Sequence, residues 1–153
     1  MWAVCLASCA VLAAGSPQAQ SLEPTAVEVA PGVWMPKVNL GTCCGSQPKV
    51  GLAPWLAAGG RGIDTAYDYG KLVPGGRETD IKAVLAASSV PRKELFITTK
   101  IPAGYGIVPG SCSGGAGEAL RQVKENLKEL GMSQVDLVLL HHPVSRVFQF
   151  LGV

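Results

Sequence analysis

The sequence predicts an α/β protein built on parallel strands, and three observations carry that prediction. From residue 38 onward, short apolar or β-branched runs alternate with runs of helical period. The strand-like runs begin at residues 38, 62, 95 and 135, a spacing that leaves room for one helix and one loop each. The last run, Val135-Asp-Leu-Val-Leu-Leu140, is nearly continuous in apolar residues, as expected of a parallel strand covered on both faces. Such alternation implies right-handed helical crossovers between neighbouring parallel strands.

The elements follow in order. Val27-Glu-Val29 and Val33-Trp-Met35 read as a short β-hairpin turning at Pro31-Gly32. Val38-Asn-Leu-Gly-Thr42 is the first parallel strand, and Val50 to Ala58 the first helix, stopped by Gly59-Gly60. Gly62-Ile-Asp-Thr-Ala66 is the second strand. Glu78 to Ala87 is the second helix, with Ile81, Val84 and Leu85 on one face and Pro91 beyond its end. Leu95-Phe-Ile-Thr-Thr99 is a β-branched third strand. Ala116 to Leu130 is the most regular helix: Leu120, Val123, Leu127 and Leu130 draw one apolar stripe, and Gly131 closes it.

The composition fits a folded chain. Of 153 residues, 48% are hydrophobic and 16% charged, the latter below the ~25% usual in soluble domains, which argues against disorder. The net charge of +2, from 13 basic and 11 acidic residues, comes without a like-charge block, which argues against a nucleic-acid partner. No apolar run reaches the ~18 residues of a membrane span. The 19 glycines and 11 prolines, without a collagen period, mean many turns.

Residues 1–20 stand apart. They carry no charge, are apolar and small from Trp2 to Ala14, and pass into Gly15-Ser-Pro-Gln-Ala19, which resembles a secretory or organellar targeting peptide lacking its basic start. Without targeting, the expectation is a cytoplasmic protein. Cys5 and Cys9 fall in this segment. Cys43, Cys44 and Cys112 make an odd set with no zinc spacing, and are expected to be free thiols.

Ligands of parallel α/β folds sit at the carboxyl ends of the strands, where the loops converge. There the first strand carries Gly41-Thr42, the second Asp64 with Tyr69 five residues on, the third Lys100, and the fourth His141-His142-Pro143. Each has a bland alternative: a turn cap, a packed loop ring, a solvated strand end, a core histidine. Four at matching strand ends point to a site. A free phenol ionises near pH 10, and a neighbouring ammonium favours its ionised form. Asp64 would hold Lys100, and His141 would polarise a substrate carbonyl. Such a phenol suits protonation of a developing alkoxide. The hydride would have to come from a cofactor, since no side chain supplies one.

These residues sit in motifs that resemble the aldo-keto reductase family between about Val27 and Pro143. Gly32-Val-Trp-Met-Pro36 with Leu40-Gly-Thr42 is similar to the family's opening hairpin and first barrel strand. Gly62-Ile-Asp-Thr-Ala-Tyr-Asp-Tyr-Gly70 is similar to the stretch around its catalytic Asp and Tyr. Val90-Pro-Arg-Lys-Glu-Leu-Phe-Ile-Thr-Thr-Lys100 is similar to the stretch that carries its Lys. Leu127-Lys-Glu-Leu-Gly131 and Val135-Asp-Leu-Val-Leu-Leu-His141 resemble the stretch that ends in its His.

The resemblance implies a (β/α)8 TIM barrel, NADPH (or NADH) as cofactor, and a small carbonyl compound as substrate. It implies Asp64, Tyr69, Lys100 and His141 as the catalytic tetrad, with Tyr67, three residues after Asp64, as a decoy. It also implies Gly41, Thr42 and Asp64 at the cofactor, and His141 and Cys43 at the substrate.

A whole barrel takes ~250 residues, so four βα units amount to its first half, and residues 144–153 read as an irregular tail. Gly110-Ser-Cys-Ser-Gly-Gly-Ala-Gly117 is Gly-rich but lacks a phosphate-binding Lys-Ser/Thr pair, and reads as a loop into the third helix. A second reading is a non-catalytic half-barrel that self-associates through exposed sheet edges.

Overall fold

The computed structural model describes residues 25–71, 74–102 and 115–141. The leader, Cys112, most of the Gly-rich stretch and the tail lie outside the described residues.

The hairpin forms as expected. β1 (Ala26–Ala30) and β2 (Val33–Pro36) pair antiparallel, with an irregular register between Glu28 and Ala30. Gly32 takes a φ of 74° at the turn, a left-handed conformation that glycine adopts without a Cβ clash, and its N–H donates to Glu28 Oε1 at 2.8 Å.

Four parallel strands follow in spatial order: β3 (Asn39–Gly41), β4 (Gly62–Asp64), β5 (Phe96–Ile101) and β6 (Leu137–Leu140). Between them run α1 (Pro48–Ala57), α2 (Glu78–Ala86) and α3 (Gly115–Leu130). The register puts Gly41 beside Asp64, Asp64 beside Thr98, and Thr98 beside Leu137. Strand side chains alternate between faces, so each strand contributes one set to the helices and another to the opposite, inner face. Ile63 and Ile97 are fully buried and join Leu52, Leu56, Ile81, Leu95 and Leu130 in the core between sheet and helices. At about 1.5–3 kcal/mol per buried aliphatic side chain, this layer holds the sheet and helices together. Asp64, Thr98, Lys100, Leu137 and Leu139 therefore occupy the inner face.

Element ends differ from the sequence reading for identifiable reasons. α1 starts at Pro48, whose fixed φ suits the first helical turn. β5 runs past Thr99 because Lys100 and Ile101 pair with Leu139 and Leu140. β6 begins only at Leu137. Asp136 is drawn aside, its Oδ2 accepting from the Ile97 N–H at 2.7 Å and from Arg92 at 2.6 Å.

Against the expectation of a strand covered on both faces, Leu139 is 40% and Leu140 61% exposed on β6, which among the described residues pairs on one side alone, with β5. An apolar run marks what a strand can bury, and burial itself requires a neighbour on each side.

Candidate active site

The carboxyl end of the sheet gathers the residues that the sequence singled out. Lys100 ends the inner-face row of β5, and its ammonium reaches three oxygens. It pairs with Asp64 Oδ1, donates to the Thr65 carbonyl at 3.1 Å, and lies 3.4 Å from the Tyr69 hydroxyl. Asp64 is one strand over, on β4, and Tyr69 follows on the loop from β4 to α2. Its residues up to Gly70 are tied down. The N–H of Thr65 bonds to Thr98 O, that of Tyr67 to Lys100 O, and that of Tyr69 to Ala66 O, at 2.9, 2.9 and 3.2 Å. Gly70, at a φ of 69°, turns the chain, and its carbonyl accepts from Arg77 Nε at 2.9 Å. Tyr69 is 6% exposed, so its ring is fixed while its hydroxyl meets the ammonium.

The two tyrosines are sorted by this loop. Tyr67 turns outward to α3, where its hydroxyl donates to Glu125 Oε2 and accepts from Arg121, both at 3.2 Å. The Lys71 ammonium lies 4.1 Å from its ring centre, a cation–π contact. The Tyr67 side chain therefore belongs to a helix-side ion network, and of these two hydroxyls it is that of Tyr69 that meets the Lys100 ammonium.

His141 follows β6, its N–H bonded to Ile101 O at 2.9 Å. Its ring meets the Tyr69 ring edge-on, with centroids 5.5 Å apart, and its Nδ1 is 3.0 Å from Asp68 Oδ1. Asp68, buried between the two tyrosines, is the residue that sequence reasoning missed. A carboxylate bonded to one ring nitrogen of a histidine fixes the ring's orientation. Its one signal in the sequence is its place between the two tyrosines of the site motif.

Gly41 opens the inner face at its edge: a Cβ there would meet nothing within 4 Å. Thr42 is fully buried; its N–H and hydroxyl both donate to the Asp64 carbonyl, at 3.0 and 3.1 Å. It thus ties β3 to the strand carrying Asp64.

The four parallel strands, the hairpin that precedes them and this grouping at their carboxyl ends can be set against known proteins. A model of the aldo/keto reductase family matches residues 49–147. The chain belongs to that family. An aldo-keto reductase of Mycobacterium avium is 34% identical over 119 residues, which are 76% of this chain and 37% of that protein. Morphine 6-dehydrogenase of Pseudomonas putida is 35% identical over 114 residues, 73% of this chain and 34% of that enzyme. The crystal structure of an aldo-keto reductase of the silkworm Bombyx mori superposes with a TM-score of 0.62 at 29% identity, covering 77% of this chain and 36% of that one. A structure of the same reductase in complex with NADPH gives 0.57 at 28% identity, covering 72% and 33%. The chain spans little more than a third of the length of these relatives. The strands are accordingly consecutive staves of a partial α/β barrel headed by the hairpin.

Cys43 and Cys44 correct the expectation of free thiols, because the two are joined as a disulfide. Cys44 takes a φ of 58°, a reversal that brings the adjacent side chains together, and its N–H bonds to Pro74 O at 3.0 Å. Cys43 bridges to Gly75, whose backbone lies against Tyr69. Cys43, expected at the substrate, therefore presents no free thiol.

A groove of about 700 Å³ between α1 and α2, lined by Leu56, Arg61, Val84 and Val90 among others, lies at the amino ends of the strands. It is remote from Lys100 and takes no part in the site.

Proposed function

We propose that the chain carries the proton-donating part of a carbonyl reductase that uses NADPH or NADH, with Tyr69 as general acid. The observation that carries this reading is the contact of the Tyr69 hydroxyl with the Lys100 ammonium, itself paired to Asp64, at the carboxyl ends of neighbouring strands. The family membership and the NADPH complex of a relative support it.

The inner face suits a flat ring. Gly41 leaves open space at the rim, and Asp64, with a third of its side chain exposed, and Lys100 provide polar groups beside it. When bound, a nicotinamide cofactor supplies the hydride. This chain's residues do the rest. His141, oriented by Asp68, holds the substrate carbonyl oxygen near Tyr69. As the carbonyl carbon gains the hydride, its oxygen takes the Tyr69 proton, and the phenolate left behind faces the Lys100 ammonium. Asp64 keeps that ammonium in place. Thr42, bonded twice to the Asp64 carbonyl, holds Asp64 in place at the cofactor side. The disulfide-bonded Cys43 contributes to the wall of the substrate pocket.

The test is NADPH oxidation that depends on an added small aldehyde, measured for the protein and for Lys100→Met. Reduction by the protein that falls by at least about 10²-fold in the variant, with NADPH binding retained, supports the assignment. Equal rates contradict it.

The exposed β6 edge favours a second reading, self-association of a half-barrel. Among the described residues no helix is long and apolar enough to cross a membrane.

A further inference from the structure

Behind the strand that carries Lys100 lies a second polar assembly that the proposed reaction does not use. Thr99 is next to Lys100 on β5 and faces the opposite way, into the seam between α2 and α3. Its hydroxyl donates to Glu78 Oε1 on α2 at 2.8 Å and accepts from Asn126 Nδ2 on α3 at 2.9 Å. Glu78 is 1% exposed, and Thr99 and Asn126 are fully buried.

The hydrogen-bond inventory of this seam is short of donors. Glu78 Oε2, Asn126 Oδ1 and Glu129 Oε2 are all buried acceptors without a donor among the described residues. A carboxylate can only accept, whereas a carboxylic acid brings one O–H donor. An ionised Glu78 therefore leaves a charged oxygen without a donor in a dry site, a costly state that a proton on that oxygen relieves.

The surrounding charges leave that conclusion standing. Burial pushes the Glu78 carboxyl up to about 7, and Glu129 and Glu125 on α3 add to the rise. The Thr99 hydroxyl and the Lys71 ammonium oppose it. Lys71 is itself occupied, paired with Glu125 at 3.2 Å and Glu129 at 2.9 Å.

We propose that Glu78 is a positioning residue for Lys100: it ends the buried relay Asn126–Thr99–Glu78, which clamps β5 to α2 and α3 one residue before the ammonium that faces Tyr69, and the clamp holds while the unpartnered Glu78 Oε2 carries a proton rather than a buried charge. The inference rests on the proposed function for its catalytic consequence, and on the relay alone for its structural one. Ionisation of Glu78 puts an unmatched charge in the seam and loosens the strand. A misplacement on the ångström scale at a reacting group costs up to about 10²-fold in rate.

The experiment compares wild type, Glu78→Gln and Glu78→Ala across pH 6 to 8.5. Gln keeps an acceptor for Thr99 and supplies a permanent donor. The expected result is a wild-type kcat that falls several-fold above pH 7, a Glu78→Gln kcat that stays level, and unchanged KM in both. Glu78→Ala should be about tenfold slower at every pH. Identical pH profiles for wild type and Glu78→Gln overturn the proposal, whether or not Glu78→Ala folds.

Hydrogen exchange of the Thr99 and Lys100 amides keeps the relay testable apart from turnover. Protection should fall from pH 6 to pH 8.5 in wild type and hold in Glu78→Gln. Should no variant reduce an aldehyde while exchange behaves this way, the proposed function has failed and the relay stands. Protection with equal pH dependence in both proteins sinks the relay.

Discussion

The two faces of β5 solve the same problem in opposite ways. On the inner face, Lys100 and Asp64 form an ion pair whose side chains are 15% and 33% exposed. On the helix face, one residue earlier, Thr99, Glu78 and Asn126 are sealed from water. Charge is retained where solvent still reaches, because water and a partner together offset the cost of desolvation. Where water is excluded, the carboxyl of Glu78 is pushed up to about 7 and a proton takes the place of the charge. A single strand thus separates a charged assembly suited to proton transfer from a neutral one suited to holding that strand still.

The largest loss is expected on the charged side. Asp64→Asn removes the partner of an ammonium in a mostly covered site, and carbonyl reduction should fall by about 10²-fold or more, read from steady-state kinetics with NADPH held in excess. Next comes the neutral side. Thr99→Val takes away the hydroxyl that serves both Glu78 and Asn126, leaving two buried polar groups without their partner. We expect a loss of about 2–4 kcal/mol, read from the urea midpoint at pH 6.

The pH dependence of stability sharpens the contrast further. Glu78 holds its proton more tightly in the fold, near 7, than at the ordinary carboxyl value of 4.5. The folded state therefore binds more protons than the unfolded chain between those two pH values. Stability should be full below about 4.5 for this group, fall as pH rises to about 7, and stay at the lower level beyond it. The fall attributable to Glu78 is about 3 kcal/mol at most, and is measured as the difference between wild type and Glu78→Gln in thermal or urea unfolding.

The smallest effect concerns the sheet edge. Leu140, 61% exposed on β6, offers an apolar edge, and Leu140→Lys should shift the protein toward monomer in sedimentation without changing its fold.

Much of the fold was legible because its signals are local. The apolar stripe Leu120, Val123, Leu127, Leu130 places α3 to within a residue, and the alternation of runs gives the parallel order. β6 was overextended because Asp136 bonds to Ile97 and Arg92, side-chain chemistry that hydrophobic period does not register. Asp64, Tyr69, Lys100 and His141 were visible through their strand ends, and the structure brings all four to one rim. Asp68 and Glu78 were not. Glu78 reads as an ordinary first-turn acid, favourable at any helix start, and its burial depends on α3 and β5 meeting over it. The cysteine pair was misjudged because spacing rules say nothing about a left-handed turn at Cys44.

The most direct test of the account separates its two tyrosines. Single-turnover reduction of an aldehyde, followed by NADPH absorbance, is measured in Tyr69→Phe and in Tyr67→Phe. We expect a loss of about 10²–10⁴-fold in Tyr69→Phe, the range of general acid catalysis, with NADPH binding intact and with near-normal rates in Tyr67→Phe. A normal rate in Tyr69→Phe together with a collapse in Tyr67→Phe would contradict it.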